Sequence, residues 1–381
     1  MLILIKGFKI RLLPTKEQEK LMIKSIGCSR FAYNWGINKV KEYREQNKKY
    51  SMSDIRKEFT QLKKDEDYKW LNEVSNTTMV ESLRNLDKSF KQFFKTKKGY
   101  PKFKTKRKSK QSFYVRYDNL YFIDKFCNIE KIGKVKYKTN YKIPQGRNVV
   151  KFINPYCSFD GKYWYLSFNL EIEENQTISL NKNLSIGIDL GIKELATCSN
   201  GMVFNNVNKT KRVRKLNKKL KRLQRKVSNK YELNKQGNKF IKTNNIIKLE
   251  KQIKLISRKL SNIRLNYIYQ CINTILKENP IRIIMEDLNI SGMMKNKHLS
   301  KAIAEQCFYK FISIMKYKCE WNNIEFIQAD RFYPSSKKCS CCGNIKHDLK
   351  LKDRIYICDE CGLHIDRDLN ASINLMNYKL V

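Results

Sequence analysis

The sequence predicts a multidomain α/β protein, and three observations lead there. Residues 14 to about 95 carry apolar side chains at helical spacing, and residues 113 to 171 break into short β-branched and aromatic runs. Beyond residue 180, apolar strand-like runs alternate with strongly basic helical sequence. A chain of 381 residues is long enough for two or three domains, and 41% hydrophobic content argues against disorder throughout.

The elements follow in order. Residues 2 to 13 read as a strand ending at Pro14. Thr15 and Gln18 form a capping box at the head of a helix bearing Leu21, Met22, Phe31, Trp35 and Ile37. A later helix places Met79, Val80, Leu83, Leu86, Phe90 and Phe93 on one face, so the region reads as a helical lobe. Lys95 to Lys110 holds nine basic residues and no acid, with Tyr100 and Phe103 set around Gly99 and Pro101. Such a segment is expected to form no core and to serve as a solvated loop or as a backbone clamp with stacking rings. In the β-rich stretch, Asp160-Gly161 between two aromatic runs signals a hairpin. With the first strand it could close a barrel into which the helical lobe is inserted.

From 209 to 226, eleven of eighteen residues are Lys or Arg, while Val213, Leu216, Leu220, Leu223 and Val227 recur at spacings of three and four. The stripe resumes after Gly237 at Ile246, Leu249, Ile253, Ile256, Leu260 and Ile263, which predicts two antiparallel helices with a cationic outer face.

Charge then narrows the partner. Lys plus Arg total 79 against 36 Asp plus Glu, a net +43 that calls for a polyanion. There is no apolar run of about 18 residues, and Met1 to Ile5 is shorter than a secretory core of about 7 to 15. The expectation is a soluble cytoplasmic, nucleoid-associated protein with no membrane partner. Aromatic residues at 12%, spread along the chain, favour nucleic acid over lipid.

Eight of the twelve cysteines are scattered, and four read Cys339-x-x-Cys342, then fifteen residues, then Cys358-x-x-Cys361. Two thiolate pairs on two tight turns close a tetrahedral sulfur shell suited to structural zinc. Gly343 and Gly362 follow the second cysteine of each pair, where the turn favours positive φ. Cys341 is a third thiol in one knuckle and a competitor for the ion.

Acids at the ends of regular elements carry the chemistry. Ser185 to Gly191 is a strand with Ile186, Ile188 and Leu190 on one face and Gly187, Asp189 and Gly191 on the other, leaving room beside Asp189 for metal ions and a phosphate backbone. Ile281 to Glu286 is a second buried strand, and Glu286 or Asp287 at its end could serve. Past the cysteines, Asp366 to Asn374 opens a helix that Asp366 would cap. Three separated carboxylates in a cationic chain suggest a two-metal phosphodiester site for Mg²⁺ or Mn²⁺. With only His298, His347 and His364 present, two of them beside cysteines, a histidine-based hydrolase is poorly supported.

The motifs Gly187-Ile-Asp189-Leu-Gly191, Met285-Glu286-Asp287-Leu-Asn289, the paired cysteines and Asp366-Arg-Asp368-Leu-Asn-Ala-Ser-Ile-Asn374 stand in the order of the RuvC-type motifs of TnpB proteins. Arg11 to Gln18, Arg30 to Asn34, Gly99 to Phe103 and Pro334 to Cys339 also resemble that family, which is similar to the type V CRISPR effectors.

The resemblance implies an RNase-H-like (RuvC) nuclease domain with an inserted zinc ribbon, preceded by a wedge β-barrel carrying a helical recognition lobe. The corresponding division is 1–13 and 101–180 for the wedge and 14–100 for the lobe. It continues with 181–332 and 365–381 for the nuclease domain and 333–364 for the ribbon. It implies Asp189, Glu286 and Asp368 as catalytic acids holding Mg²⁺ or Mn²⁺, and Cys339, Cys342, Cys358 and Cys361 as zinc ligands. It further implies a guide RNA, a double-stranded DNA target beside a short transposon-adjacent motif, and one monomer per guide. Ser372 stands where the family usually has alanine. Two other readings compete with this RNA-guided DNA endonuclease: a non-catalytic RNA- or DNA-binding regulator, and a transposase that joins strands.

Overall fold

The computed structural model describes residues 2–106, 108–146, 152–174, 179–350 and 353–378. Arg107 of the basic run and residues 379–381 lie outside them. The chain divides into two compact units, Met1–Asn175 and Gln176–Val381.

The first unit begins with β1 (Leu2–Leu13), which stops where Pro14 removes the next ladder donor. The Thr15 hydroxyl then accepts from the Gln18 N–H while the Gln18 side chain accepts from the Thr15 N–H, completing the expected capping box on α1 (Lys16–Glu45). Helices α2 (Met52–Leu62) and α3 (Asn76–Thr96) fold against α1, with a short 3₁₀ turn (Glu66–Glu73) between them. Ile37, Val40, Phe59, Leu71, Met79, Leu83 and Leu86 form the core of this helical lobe.

The remaining strands of the unit are β2 (Ser112–Tyr114), β3 (Tyr121–Ile123), β4 (Phe126–Ile129), β5 (Gly133–Lys138), β6 (Ile153–Phe159) and β7 (Trp164–Glu174). With β1 they make one sheet in the order β2-β6-β7-β1-β5-β4-β3. The long β1 lies at its centre, antiparallel to β7 from Leu2 to Leu12 and to β5 from Arg11 to Leu13. The sequence suggested a single barrel; among the described residues the strands form a half-barrel whose edge strands β2 and β3 have three residues each. The Asp160-Gly161 hairpin is as expected: Phe159 pairs with Trp164, and the Asp160 carboxylate accepts from the N–H groups of Lys162 and Tyr163.

One expectation fails in the basic run. Tyr100 packs edge-on to Phe90 and Phe93 and Pro101 is buried, so this part of the segment joins the lobe's core. Two aromatic neighbours gave the tyrosine ring more contact than water could.

The second unit opens with β8 (Asn181–Asp189), β9 (Glu194–Cys198) and β10 (Val203–Asn205). Helices α4 (Lys211–Leu233) and α5 (Asn244–Leu276) follow, joined by a small hairpin of β11 (Lys235–Gln236) and β12 (Lys239–Phe240). As the stripes predicted, Val213, Leu216, Leu220 and Leu223 of α4 pack on Leu249, Ile253, Ile256 and Leu260 of α5, leaving the lysines and arginines outside. Next come β13 (Pro280–Glu286), α6 (Ile290–Met293), α7 (Ser300–Gln306), α8 (Phe308–Trp321) and β14 (Glu325–Ala329). The ribbon strands β15 (Ile355–Ile357) and β16 (His364–Asp366) lead into α9 (Arg367–Met376).

The central sheet runs β10-β9-β8-β13-β14, with β8, β13 and β14 parallel and β9 and β10 antiparallel. Period two sorts its faces. Ile186, Ile188, Ile283 and Met285 face α5 and α8, whereas Ile284, Ile327 and Ala329 pack with Leu375 of α9.

Candidate active site and metal centre

The alternation that sorts the core also aims the acids. Gly187 and Asp189 lie on the α9 side of β8, and Ile284 and Glu286 lie on the α9 side of β13. In the parallel register Ile284 opposes Gly187 and Met285 opposes Ile188, so the next residues, Glu286 and Asp189, end neighbouring strands side by side. Strands in a sheet are about 4.8 Å apart.

Asp368 arrives by way of Gly187. A Cβ there would lie 2.0 Å from the Ser372 carbonyl oxygen and 2.4 Å from the Met376 nitrogen, so α9 crosses β8 where only hydrogen fits. From that crossing Asp368 lies one helical turn back, about 6 Å, and Asp189 two strand residues on, about 6.5 Å, which brings both carboxylates to one level. The space beside Asp189 was expected to admit cations and phosphate. At Gly187 it is filled by α9 instead, and the glycine exists for helix packing. Asp366 caps α9 as anticipated, accepting from the Asp368 and Leu369 N–H groups.

The three acids feel one another. Burial raises the Asp189 carboxyl well above the ordinary range, and the charges of Glu286 and then Asp368 push it further. Burial likewise raises Glu286, partly opposed by a hydrogen bond from the Ser335 hydroxyl, while Asp368 adds to the rise. Asp368 Oδ1 accepts from Arg367 at 3.1 Å. Asp287, left open as an alternative to Glu286, turns away and pairs with Arg331.

Sequence reasoning passed over the residues that support this cluster. Asn370 and Asn374, one turn apart on α9, are buried and grip a single loop. The Asn370 amide donates to the Lys338 carbonyl at 2.8 Å and its oxygen accepts from Ser340 at 2.9 Å, while Asn374 donates to the carbonyls of Ser335 and Lys338. That loop carries Ser335 to Glu286 and delivers Cys339. Ser372, the departure from alanine, is fully buried and its hydroxyl is satisfied by the Leu369 carbonyl at 2.7 Å.

The sulfurs of Cys339, Cys342, Cys358 and Cys361 all lie within 4.8 Å of one another. Among the described residues this is the group of three or more His, Cys, Asp or Glu side chains gathered that tightly. Cys339 approaches Cys361 at 3.6 Å and Cys342 approaches Cys358 at 3.5 Å, close to the edge of about 3.8 Å of a tetrahedron with zinc–sulfur bonds of about 2.3 Å. The two knuckles repeat each other: Gly343 donates to Cys339 and Gly362 to Cys358, with φ of +82° and +70°. Backbone donation from Cys361, with a further contribution from Glu360, brings the Cys358 thiol down to about 6, toward the thiolate that binds metal. Cys341 is exposed and outside the group. The buried Tyr356 backs the site and donates to the Lys337 carbonyl at 3.2 Å.

A half-barrel with a helical lobe, then a mixed sheet with carboxylates at its strand ends and a four-cysteine ribbon, defines a class. The chain shares its fold with the protein in the "Cryo-EM structure of the Cas12f1-sgRNA-target DNA complex", at a TM-score of 0.56 and 13% identity over 98% of this chain and 99% of that one. Family models fit in order along the sequence: "Helix-turn-helix domain" at residues 1–49, "Probable transposase" at 167–297 and "Cas12f1-like, TNB domain" at 308–375. The first of these spans β1 and the whole of the long helix α1. A Streptomyces pristinaespiralis protein named "Putative RNA-guided DNA endonuclease" is 27% identical, over 97% of this chain and 88% of that one. Escherichia coli K12 InsQ, given the same description, is 27% identical over 98% and 92%. The chain is therefore similar to the TnpB proteins, the OrfB proteins of IS605-type insertion sequences. Among the described residues no helix is long and apolar enough to cross a membrane.

Proposed function

We propose that this protein is an RNA-guided DNA endonuclease of an insertion sequence, hydrolysing target DNA at Asp189, Glu286 and Asp368 beside a short transposon-adjacent motif. The observation that carries the reading is the approach of three carboxylates from distant segments to one sheet end in a chain of net charge +43. The names of the relatives at 27% identity point the same way. We assign the half-barrel to the wedge, α1 to α3 to the recognition lobe, the second unit's sheet with α9 to a RuvC-like nuclease domain and residues 333–364 to its zinc ribbon.

The donor set fits divalent cations. Three hard carboxylate oxygens, without histidine or thiol among them, suit Mg²⁺ or Mn²⁺, and the charges of Glu286 and Asp368 that help raise the Asp189 carboxyl would be relieved by a shared cation. Bound there, a pair of such ions supplies an activated water and charge stabilisation for the leaving 3′ oxygen. The chain's own part is positioning. Ser335 fixes the Glu286 carboxylate, and Arg367 is the counter-charge that Asp368 exchanges when ions enter. The four cysteines hold structural Zn²⁺ and with it the loop that ends at Ser335. Guide pairing reads the sequence, while basic side chains such as those of α4 hold backbone phosphates.

The test is cleavage by protein coexpressed with its flanking genomic DNA, which supplies the guide. Asp189→Ala is expected to lower double-strand cutting by about a thousandfold or more while leaving DNA retention unchanged. Cutting by this variant at the wild-type rate rejects the acid site. Joined donor and target ends in the wild-type reaction would favour the transposase reading.

A further inference from the structure

Phe332 is 87% exposed, and among the described residues no large apolar side chain is more so. A lone exposed ring means little in itself. What distinguishes this one is the backbone that presents it. The loop leaving β14 begins at Ala329, which pairs with Glu286 across the parallel strands. Arg331 is tied to Asp287, the residue after Glu286, and Ser335 is tied to Glu286 itself. Between those ties the Phe332 N–H donates to the Asp330 carboxylate at 2.8 Å. Tyr333 turns inward, its hydroxyl on the Asn374 carbonyl at 3.1 Å and its ring against Tyr378. Both neighbours of Phe332 are therefore anchored to protein, and its own ring is left in water at the rim of the acid cluster.

Its chain neighbour Arg331 lines an open groove of about 470 Å³ together with Asp287, Asn289, Tyr309, Lys316 and Gln328, in which Tyr309 is 73% exposed. Lys316 offers a cationic donor for a phosphate, and the rings of Tyr309 and Phe332 offer faces for bases.

Resting on the nuclease reading above, we infer that Phe332 is a base-stacking residue that positions an unpaired DNA strand against Asp189, Glu286 and Asp368. A ring held in this way orders one base next to the phosphodiester to be cut, independently of which base it is.

The test uses the full-length protein carrying Asp189→Ala so that nothing is cut, and compares two single-stranded probes of about 12 nucleotides, one of thymidines and one abasic at every position. Phosphate contacts are common to both, so the ratio of their affinities isolates stacking. Adding Phe332→Ala is expected to cut the preference for bases by about tenfold, with Phe332→Trp retaining it and Phe332→Leu losing it. An unchanged preference in Phe332→Ala, or full retention by Phe332→Leu, overturns the inference. The readout involves no cleavage, so failure of the nuclease reading and failure of the stacking role are seen separately.

Discussion

The four-cysteine centre and the three-acid centre share the loop of residues 335–340, yet they are put together in opposite ways. The sulfurs come from two tight turns close in sequence and already stand within 4.8 Å of one another. The acids come from segments roughly eighty to a hundred residues apart and meet only because β8, β13 and α9 pack around one glycine. Thiols can shed protons to a metal as it binds, whereas adjacent carboxylates repel one another and are held meanwhile by Ser335 and Arg367. A local site is built by turn geometry, and a dispersed one by the packing of its scaffold.

The comparison can be tested most severely at the sulfurs. Cys358→Ser should abolish zinc retention and unfold the ribbon, because structural zinc supplies about 10–16 kcal/mol in small ribbons of this kind. Metal analysis and hydrogen exchange over residues 339–363 check it; a zinc-loaded, protected ribbon in the variant would contradict the four-sulfur assignment. Next in size is Gly187→Val. Both atoms that its Cβ would meet are backbone and cannot yield, so the cost is expected to exceed about 3 kcal/mol in denaturant melts, with cutting lost although every acid is intact. Wild-type stability in this variant would remove the packing argument.

The smallest expected effect has the opposite sign. Because the Asp189 carboxyl is raised in the folded state, the folded protein binds more protons than the unfolded chain above the ordinary carboxylate range. Stability without magnesium therefore falls as pH rises through that raised value and recovers as pH falls. Asp189→Asn should reduce this slope, leaving the part that Glu286 contributes, and, for about 1 kcal/mol of relieved burial and repulsion, raise Tm near neutral pH by about 2–4 °C in zinc-replete, magnesium-free buffer. A lower Tm would mean that the cluster is not strained without cations.

What the sequence disclosed follows the same division. The Thr15 capping box, the Asp160-Gly161 hairpin, the cysteine knuckles and the paired stripes of α4 and α5 depend on residues near one another, so spacing was enough to read them. The acids were found by type and by their place at element ends, but the choice of Glu286 over Asp287 needed the strand faces. Gly187 was noticed for a reason the structure replaces, since a glycine opposite a helix and one beside a ligand look alike in one dimension. Asn370, Asn374 and Ser335 stood in the sequence as members of matching motifs, with no signal of what each holds. Their partners lie some thirty to fifty residues away and for the asparagines are largely carbonyl groups, which carry no side-chain identity to read.

The grip of Asn370 and Asn374 on the cysteine-bearing loop sets a hierarchy between two kinds of ion. In a cell starved of zinc, the chain would own every acid it needs and still hold Glu286 on an unsupported strap. Under the proposed nuclease reading, an ion that never meets DNA would thereby steady the carboxylate that holds those that do, and nutrient supply would become a safety catch on genome damage.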